Sequence, residues 1–478
     1  MSKKIDRRKF LRMTAASAAG LFLASCAPAS ATPQTVKEVV TVVVEKAGEK
    51  VIETQVVEKV VTATPELAPA VKAEPTPLLY WFQAENHKPE YDRRQKELED
   101  KFNIKITYEL LGRDAMTKKF PTVLMAGSGY PDIIEQNAED IVKFLKGDDK
   151  VIPFVAIDDF LSASPYATDV LENRWARYTK GGKKYGAPHD VHPIIMIYND
   201  TEWKKFGVDM AAVKTYDEYL AAMGKMEKKL PDGSPRIGIM DCLGCAVFGS
   251  MMLQKGVWWT DANEEPMLTN PAFKEAVETW YKFKSYWVDI DWGNAVAMMK
   301  KGQVMTQFIP DWFFGIYKQG LKDDAEFGKT SGLRVMRIPY FKPDDCRTGS
   351  WGGTAASVPK LSKIVDLAMK VLLYTYFENG EKQLEARFND TGILPPVKSV
   401  WDADIFKQPE GFLGGTNAGQ VFIEAARQLP KYSENWKTAL VASAWGEQQA
   451  LAWADTIKID QAIQTADENA KAEIKKNE

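Results

Sequence analysis

Histidine and cysteine are scarce, with three and four in 478 residues. No stretch reads as a zinc signature, a nucleophile elbow or a phosphate loop. The net charge is −3 with acids and bases intermixed. No basic stripe of the kind that phosphate backbones require is present, which excludes nucleic acid as a partner. Beyond the first 24 residues no run is long and apolar enough to cross a membrane. Tryptophan, by contrast, is plentiful. Fourteen indoles are more than a core needs, so several are expected to line a binding surface.

The chain opens on Asp6-Arg7-Arg8-Lys9-Phe10-Leu11-Arg12, followed by an Ala-rich apolar run from Met13 to Ala24. A charged head, a short apolar middle and a small-residue exit make an export signal rather than a span. Arg7-Arg8 before Phe10-Leu11 resembles a twin-arginine signal. Leu23-Ala24-Ser25-Cys26 resembles a bacterial lipobox, in which Cys26 is lipidated and becomes the mature N-terminus. Residues 1–26 are thus expected to be a lipoprotein signal. The mature protein is expected outside the cytoplasm, at the cell surface or in the periplasm, anchored to the membrane by lipid. Residues 27–77 are biased towards Val, Glu, Lys, Thr, Ala and Pro and have no aromatics. Such a segment buries too little to fold alone and reads as a low-complexity linker. Its valines keep no clean heptad.

About four hundred residues remain, too many for one core, so two lobes are expected. Leu78–Phe82 reads as a buried strand, Tyr91–Phe102 as a helix and Ile104–Tyr108 as a second strand. This βαβ opening implies a parallel sheet with ligands beyond its carboxyl ends, which puts Phe82, Gln83, Glu85, Asn86 and His87 at a mouth. A helix over Met116–Met125 leads through glycines to Asp132, which either accepts hydroxyl hydrogen bonds or caps a turn. Gly181-Gly182 reads as a hairpin, and Pro193–Asn199 as a buried strand. His189, Asp190 and His192 are of metal-ligating type. In extended backbone His189 and Asp190 face opposite ways, and no fourth ligand is evident. They read as polar contacts at a pocket mouth or hinge, with no metal. Further on, Gly349-Ser350-Trp351-Gly352-Gly353-Thr354 sets one flat indole among glycines that let a ligand approach the backbone. It reads either as a ligand-facing loop or as a turn with Trp351 packed inward.

The order of motifs resembles the family 1 extracellular solute-binding proteins, the sugar-receptor subunits of bacterial ABC importers. Gly127-Ser128-Gly129-Tyr130-Pro131-Asp132-Ile133 is similar to the family's G-x-x-P-D motif. Gly182–Pro188 up to Tyr198-Asn199-Asp200, and Lys214–Leu220, are similar to its next two. Gly256-Val257-Trp258-Trp259, Asn270–Ala276, Met299–Met305, Arg337-Ile338-Pro339, Trp351-Gly352-Gly353 and Thr391–Pro395 continue the series. Pro310-Asp311-Trp312 stands where the family usually has Gly-Ser-Trp.

The resemblance implies a two-lobed α/β periplasmic-binding-protein fold of type II-like topology, joined by hinge crossover strands. Its expected division is 78–193 with 355–390, and 194–354 with 391–470. Crossings are expected near Ile194–Ile197, Ala355–Val358 and Asn389–Ile393. Trp312 matches the indole that stacks on a sugar face, and Trp351-Gly352 matches the hinge segment facing the cleft. Asp132 matches a rim carboxylate; Gln83 and Asn86 match the loop after the first strand. Pyranoses offer an apolar face and a belt of hydroxyls. Trp81, Trp258, Trp292, Trp312 and Trp351 are candidate stacking planes; Asp132, Asp190 and Gln83 are candidate acceptors. A monomeric receptor is implied that catalyses nothing, needs no cofactor, and passes a carbohydrate to the transmembrane subunits of an ABC permease. A peptide or polyamine receptor, or a lipid-anchored polysaccharide-active enzyme with paired carboxylates, are the alternatives. Cys242-Leu243-Gly244-Cys245 resembles a redox C-x-x-C, but no thioredoxin-like pattern surrounds it. One structural disulfide among Cys242, Cys245 and Cys346 is plausible in an exported protein, with its pairing open.

Overall fold

The computed structural model describes residues 34–46, 49–61, 74–162, 164–432 and 434–478. The export signal, with Arg7, Arg8 and Cys26, lies outside the described residues. The chain divides into two units, 1–73 and 74–478.

In the first unit, part of the expected linker pairs with itself. Strands β1 (Gln34–Lys46) and β2 (Glu49–Val61) form an antiparallel hairpin with Val39 opposite Val56. The valine enrichment that spoils a heptad favours extended, pleated backbone.

The second unit holds two five-stranded sheets. The first contains β3 (Thr76–Phe82), β4 (Ile104–Leu110) and β5 (Ile133–Asn137). A small hairpin follows, β6 (Thr179–Lys180) with β7 (Lys183–Lys184), and then β8 (Ala187–Pro188). The second sheet contains β9 (Ile195–Asn199), β10 (Ile237–Met240), β11 (Trp287–Val288), β12 (Val304–Ile309) and β13 (Leu333–Met336). Finally β14 (Thr354–Ser357) returns to the first sheet. The strand orders are β4-β3-β5-β14-β8 and β11-β10-β12-β9-β13.

The opening βαβ unit forms as its pattern predicts. β3 runs parallel to β4, with Tyr80 beside Tyr108, and the helix Lys88–Phe102 lies between them in sequence. That helix stops at Asn103, which takes a left-handed conformation at φ 50°. The next helix, Arg113–Ala126, stops at Gly127, φ 61°. Each sheet is covered by helices. Leu78, Tyr91 and Tyr376 pack under the first sheet. Met196, Phe248, Trp280 and Trp445 pack under the second. Burial of such side chains contributes about 2–3 kcal/mol each before chain entropy is charged against it.

The chain passes between the sheets three times. Residues 189–194 carry it from β8 to β9, and 337–353 carry it from β13 back to β14. These two segments meet at a bridge between Pro193 and Ser350, where Ile194 N donates to Gly349 O at 3.0 Å. Both crossings lie just ahead of the strands in which they are expected. The helix Gln383–Thr391 ends at Gly392, whose φ of 76° brings it against Gly315 of the second lobe. Leu394, Val397, Trp401 and Phe406 nevertheless pack in the core of the first sheet; Phe412 and Leu413 join the second, and the helix Ala418–Arg427 faces both, with Ile423 and Ala426 in the first core and Phe422 and Ala425 in the second. The stretch after residue 391, expected with the second lobe, thus begins under the first. Trp401, whose indole N–H donates to Pro395 O at 2.9 Å, is buried there. Among the described residues no helix is long and apolar enough to cross a membrane.

Candidate functional site

Between the two sheets lies a cavity of about 770 Å³. The first lobe lines it with Glu85 and Asn86 from the loop after β3, Arg113 beyond β4, and Asn137 and Glu139 at the end of β5. The second lobe contributes Trp292 and, from the helix Asp311–Leu321, Trp312, Ile316 and Gln319. His192 of one crossing and Trp351-Gly352-Gly353 of another form its hinge side.

Three indoles make the apolar wall. Trp292 and Trp312 stack at 6.2 Å between ring centroids, 20° from parallel. Trp351 stands 5.0 Å from Trp312 and 6.2 Å from Trp292. Trp292 is 58% exposed and is continuous with the other two rings, the kind of apolar patch that marks a binding surface. The sequence sets these rings by different means. Trp312 is the second residue of a helix whose first residue, Asp311, is buried. The Asp311 carboxylate accepts Trp312 N at 2.8 Å and Leu394 N at 2.7 Å. The Trp312 indole N–H donates to Trp351 O at 3.1 Å. Gly352, at φ 83°, passes so close that a Cβ there would lie 3.2 Å from Trp312 Nε1.

Behind the wall sits a chain of buried charges. His192 Nε2 pairs with Asp190 Oδ2 at 3.0 Å, and its Nδ1 pairs with Asp311 Oδ1. Burial opposes a charge on this ring, but the Asp190 and Asp311 carboxylates outweigh it and raise the imidazole to about 9. The same burial opposes charge on Asp190, and His192 and Arg174 hold its carboxyl well below the usual carboxylate range. Arg174 donates to Asp190 Oδ1 at 2.9 Å; Thr354 donates through N at 2.8 Å and Oγ1 at 2.7 Å to Oδ2. Asp190 is therefore saturated inside the hinge and does not line the cavity. Arg177 donates to Gly352 O at 2.6 Å and to Glu434 at 2.7 Å.

His189 and His192 do not converge. His189 Nε2 turns to Glu90 at 3.1 Å, and Glu90 also takes a two-pronged bond from Arg387 at 2.8 Å on each oxygen. Burial, Arg387 and His87 lower the His189 imidazole to about 4. His87 stacks on His189 at 4.0 Å and reaches Glu135 at 3.0 Å, and Glu135 also accepts from the Tyr91 and Tyr376 hydroxyls. Ligand-type atoms of His87, Glu135 and His189 lie within 4.8 Å of one another. The carboxylate between them is already satisfied by neighbours, as a buried network must be.

The cavity brings together Glu85, Asn86, His87, His192, Trp292, Trp312, Trp351 and Gly352 of the residues expected from sequence. The others lie elsewhere. Trp81 is buried in a core with Lys119 Nζ 4.1 Å above its ring. Asp132 accepts Leu79 N at 2.9 Å and Ser362 Oγ at 2.7 Å, long-range ties rather than the cap of a local turn, and it does not line the cavity. Gln83 lies one residue before the lining, with Oε1 buried and without a partner among the described residues. Trp258 borders a separate cavity of about 280 Å³ and packs on Tyr432 at 4.7 Å. Sequence reasoning missed Arg113, Asn137, Glu139 and Gln319. Asn137 ends, and Glu139 follows, a strand whose carboxyl end is a ligand edge, and that signal was available.

A sequence profile of bacterial extracellular solute-binding proteins matches residues 94–413. An arabinooligosaccharide-binding protein of Bacillus subtilis (strain 168) is 27% identical over 380 residues, covering 75% of this chain and 83% of the relative. One of the same description from Halalkalibacterium halodurans is 24% identical, covering 77% and 82%. Among solved structures, the sugar-binding protein MalE from Xanthomonas citri superposes with a TM-score of 0.69 at 15% identity, covering 84% of this chain and 98% of that one. The ABC transporter associated binding protein from B. animalis subsp. lactis Bl-04, in complex with beta-1,6-galactobiose, gives 0.65 at 20% identity, covering 82% and 96%.

Proposed function

The chain belongs to the bacterial extracellular solute-binding proteins, and from that premise we propose that it is the receptor of an ABC importer which captures an oligosaccharide between its lobes. The observation that carries the reading is the wall of Trp292, Trp312 and Trp351 facing a polar rim of Asn86, Arg113, Asn137 and Glu139. Sugar rings need both: flat apolar planes for their C–H faces, and donors and acceptors for their hydroxyls. The two relatives described as arabinooligosaccharide-binding support a pentose oligomer as the first solute to try.

In this reading the receptor is non-catalytic and monomeric. Cys26 carries the lipid, 27–77 forms the connection to the membrane, and the two lobes close on solute by a hinge motion about 189–194 and 337–353. Closure brings the Trp wall and the first-lobe rim onto one ligand, and the closed form is the one that the permease receives.

Thermal unfolding of the full chain carrying Cys26→Ser, against arabino-oligosaccharides, malto-oligosaccharides, galactobiose, peptides and spermidine, tests this. A saccharide at a thousandfold excess over its dissociation constant is expected to stabilise by about 4 kcal/mol, with no product in the mixture. A shift with peptide or spermidine alone would redirect the assignment, and consumption of the sugar would make the protein an enzyme.

A further inference from the structure

Strands β11, β10 and β12 are neighbours in that order and run parallel, so their carboxyl ends share one edge of the second sheet. The chain leaving β11 reaches Trp292, and the chain leaving β12 reaches Trp312; both indoles line the cavity. The middle strand, β10, runs instead into Asp241-Cys242-Leu243-Gly244-Cys245, where a disulfide joins Cys242 to Cys245. This loop leaves the shared edge from the strand between those that lead to Trp292 and Trp312, and none of residues 241–246 itself lines the cavity.

Asp241 is buried, and its carboxylate accepts Cys242 N at 2.9 Å and Val247 N at 2.7 Å. Asp241 N donates to Val288 O at 3.1 Å, which ties the loop to the end of β11. Gly244 takes φ 79°, and a Cβ there would meet Gln449 Oε1 at 3.2 Å. Both half-cystines are partly exposed. The turn from β10 into the helix Ala246–Gln254 is thus held by the Asp241 carboxylate, by Cys245 N donating to Cys242 O at 3.1 Å, by Leu243 against the core of the second sheet, and by one covalent bridge between two partly exposed residues.

We propose that the Cys242–Cys245 disulfide is a redox-responsive support of the cleft's tryptophan edge: oxidised, it fixes the loop that leaves the sheet between the strands leading to Trp292 and Trp312; reduced, it frees that loop, loosens the two tryptophan segments and weakens solute binding. The solute-binding half of this inference rests on the cleft being the solute site; the mobility half does not. Reduction takes two electrons from an external dithiol. One thiolate of the reductant attacks a cystine sulfur, the S–S bond breaks, and the displaced cysteine leaves as a thiolate that takes up a proton. The second reductant thiol attacks the mixed disulfide, leaving two thiols in the loop and a disulfide in the reductant. Cys346 is a poor competitor in this exchange, because burial pushes its thiol up to about 11 and little thiolate forms.

The test uses the full chain with Cys26→Ser and Cys346→Ser, in which residues 242 and 245 carry the sole dithiol. Amide hydrogen exchange and calorimetric titration with arabinotriose are compared before and after dithiothreitol, and for a Cys242→Ser/Cys245→Ser variant. Reduction is expected to speed exchange in 241–246 and in the Trp292 and Trp312 segments by about tenfold. It is also expected to weaken arabinotriose binding by about fivefold, with recovery on reoxidation and the double variant matching the reduced form. Unchanged exchange, or faster exchange confined to 241–246, overturns the inference, and so does unchanged affinity in a protein that binds the sugar. If the oxidised protein binds no saccharide, the sugar-receptor reading fails, and exchange in the two Trp segments still decides this one.

Discussion

The Trp312 indole meets the Trp351 indole edge-on, at 67° between planes, and spends its N–H on the Trp351 carbonyl. With its N–H satisfied inside the protein, the indole offers the cavity apolar surface for a C–H-rich ligand. Trp312→Ala should therefore lower saccharide affinity by about 2 kcal/mol or more, roughly thirtyfold. Trp312→Phe keeps a plane but leaves the Trp351 carbonyl without its donor, and should fall between. Calorimetric titration distinguishes the three proteins.

Gly352 should tolerate no side chain. A methyl group would press on Trp312 Nε1 at 3.2 Å and His192 Cδ2 at 3.5 Å, in a left-handed conformation that costs L-residues about 1 kcal/mol. Gly352→Ala is expected to lose about tenfold in affinity through displacement of the Trp312 ring. Titration together with a melting curve separates that loss from general destabilisation.

Asp132 should matter to stability and not to solute. Its carboxylate is spent on Leu79 N and Ser362 Oγ. Asp132→Ala should destabilise by about 1–3 kcal/mol in urea unfolding and leave affinity unchanged.

His192 should make stability fall on the alkaline side. Folding raises its imidazole from the ordinary 6.5 to about 9. Its contribution is complete below pH 6.5 and is lost as pH rises through 9, about 3 kcal/mol in all. Unfolding free energies from pH 6 to 10 should decline in the parent, while His192→Gln should show a flatter profile.

Breaking the Glu90–Arg387 pair should be the costliest of these changes. Both partners are fully buried, and Arg387 also donates to His189 O at 2.7 Å. Glu90→Gln leaves a guanidinium unneutralised in the first lobe, and a loss of about 3–5 kcal/mol is expected in chemical unfolding.

Much of the fold was legible because its elements are local. The β3–helix–β4 unit, the Gly181-Gly182 hairpin and the buried β9 strand each announce themselves by periodicity or turn chemistry. Trp312, Trp351 and Gly352 were legible too, as a large ring and a flexible backbone in unusual places. Asn137, Glu139, Arg113 and Gln319 were not, because surface polar residues look alike until the lobes set them face to face. Asp190 and Asp132 went the other way. Each has the chemistry of a sugar acceptor, but a guanidinium, a serine hydroxyl or a backbone N–H from a distant segment takes its oxygens first. Valine-rich 34–61 shows the same limit. Composition told against a stable core there but carried no information on whether two such stretches pair.

The cavity wall has an optical side as well. Trp292, Trp312 and Trp351 are chromophores whose centroids lie 5.0 to 6.2 Å apart. At that spacing the rings exchange excitation energy, so light absorbed by any of them is emitted by the trio. In the proposed reading, a solute seated on them displaces water from the group at once. On that reading the trio is an unlabelled emitter beside the cargo, and a change in its colour and lifetime on adding saccharide is the expected report of arrival.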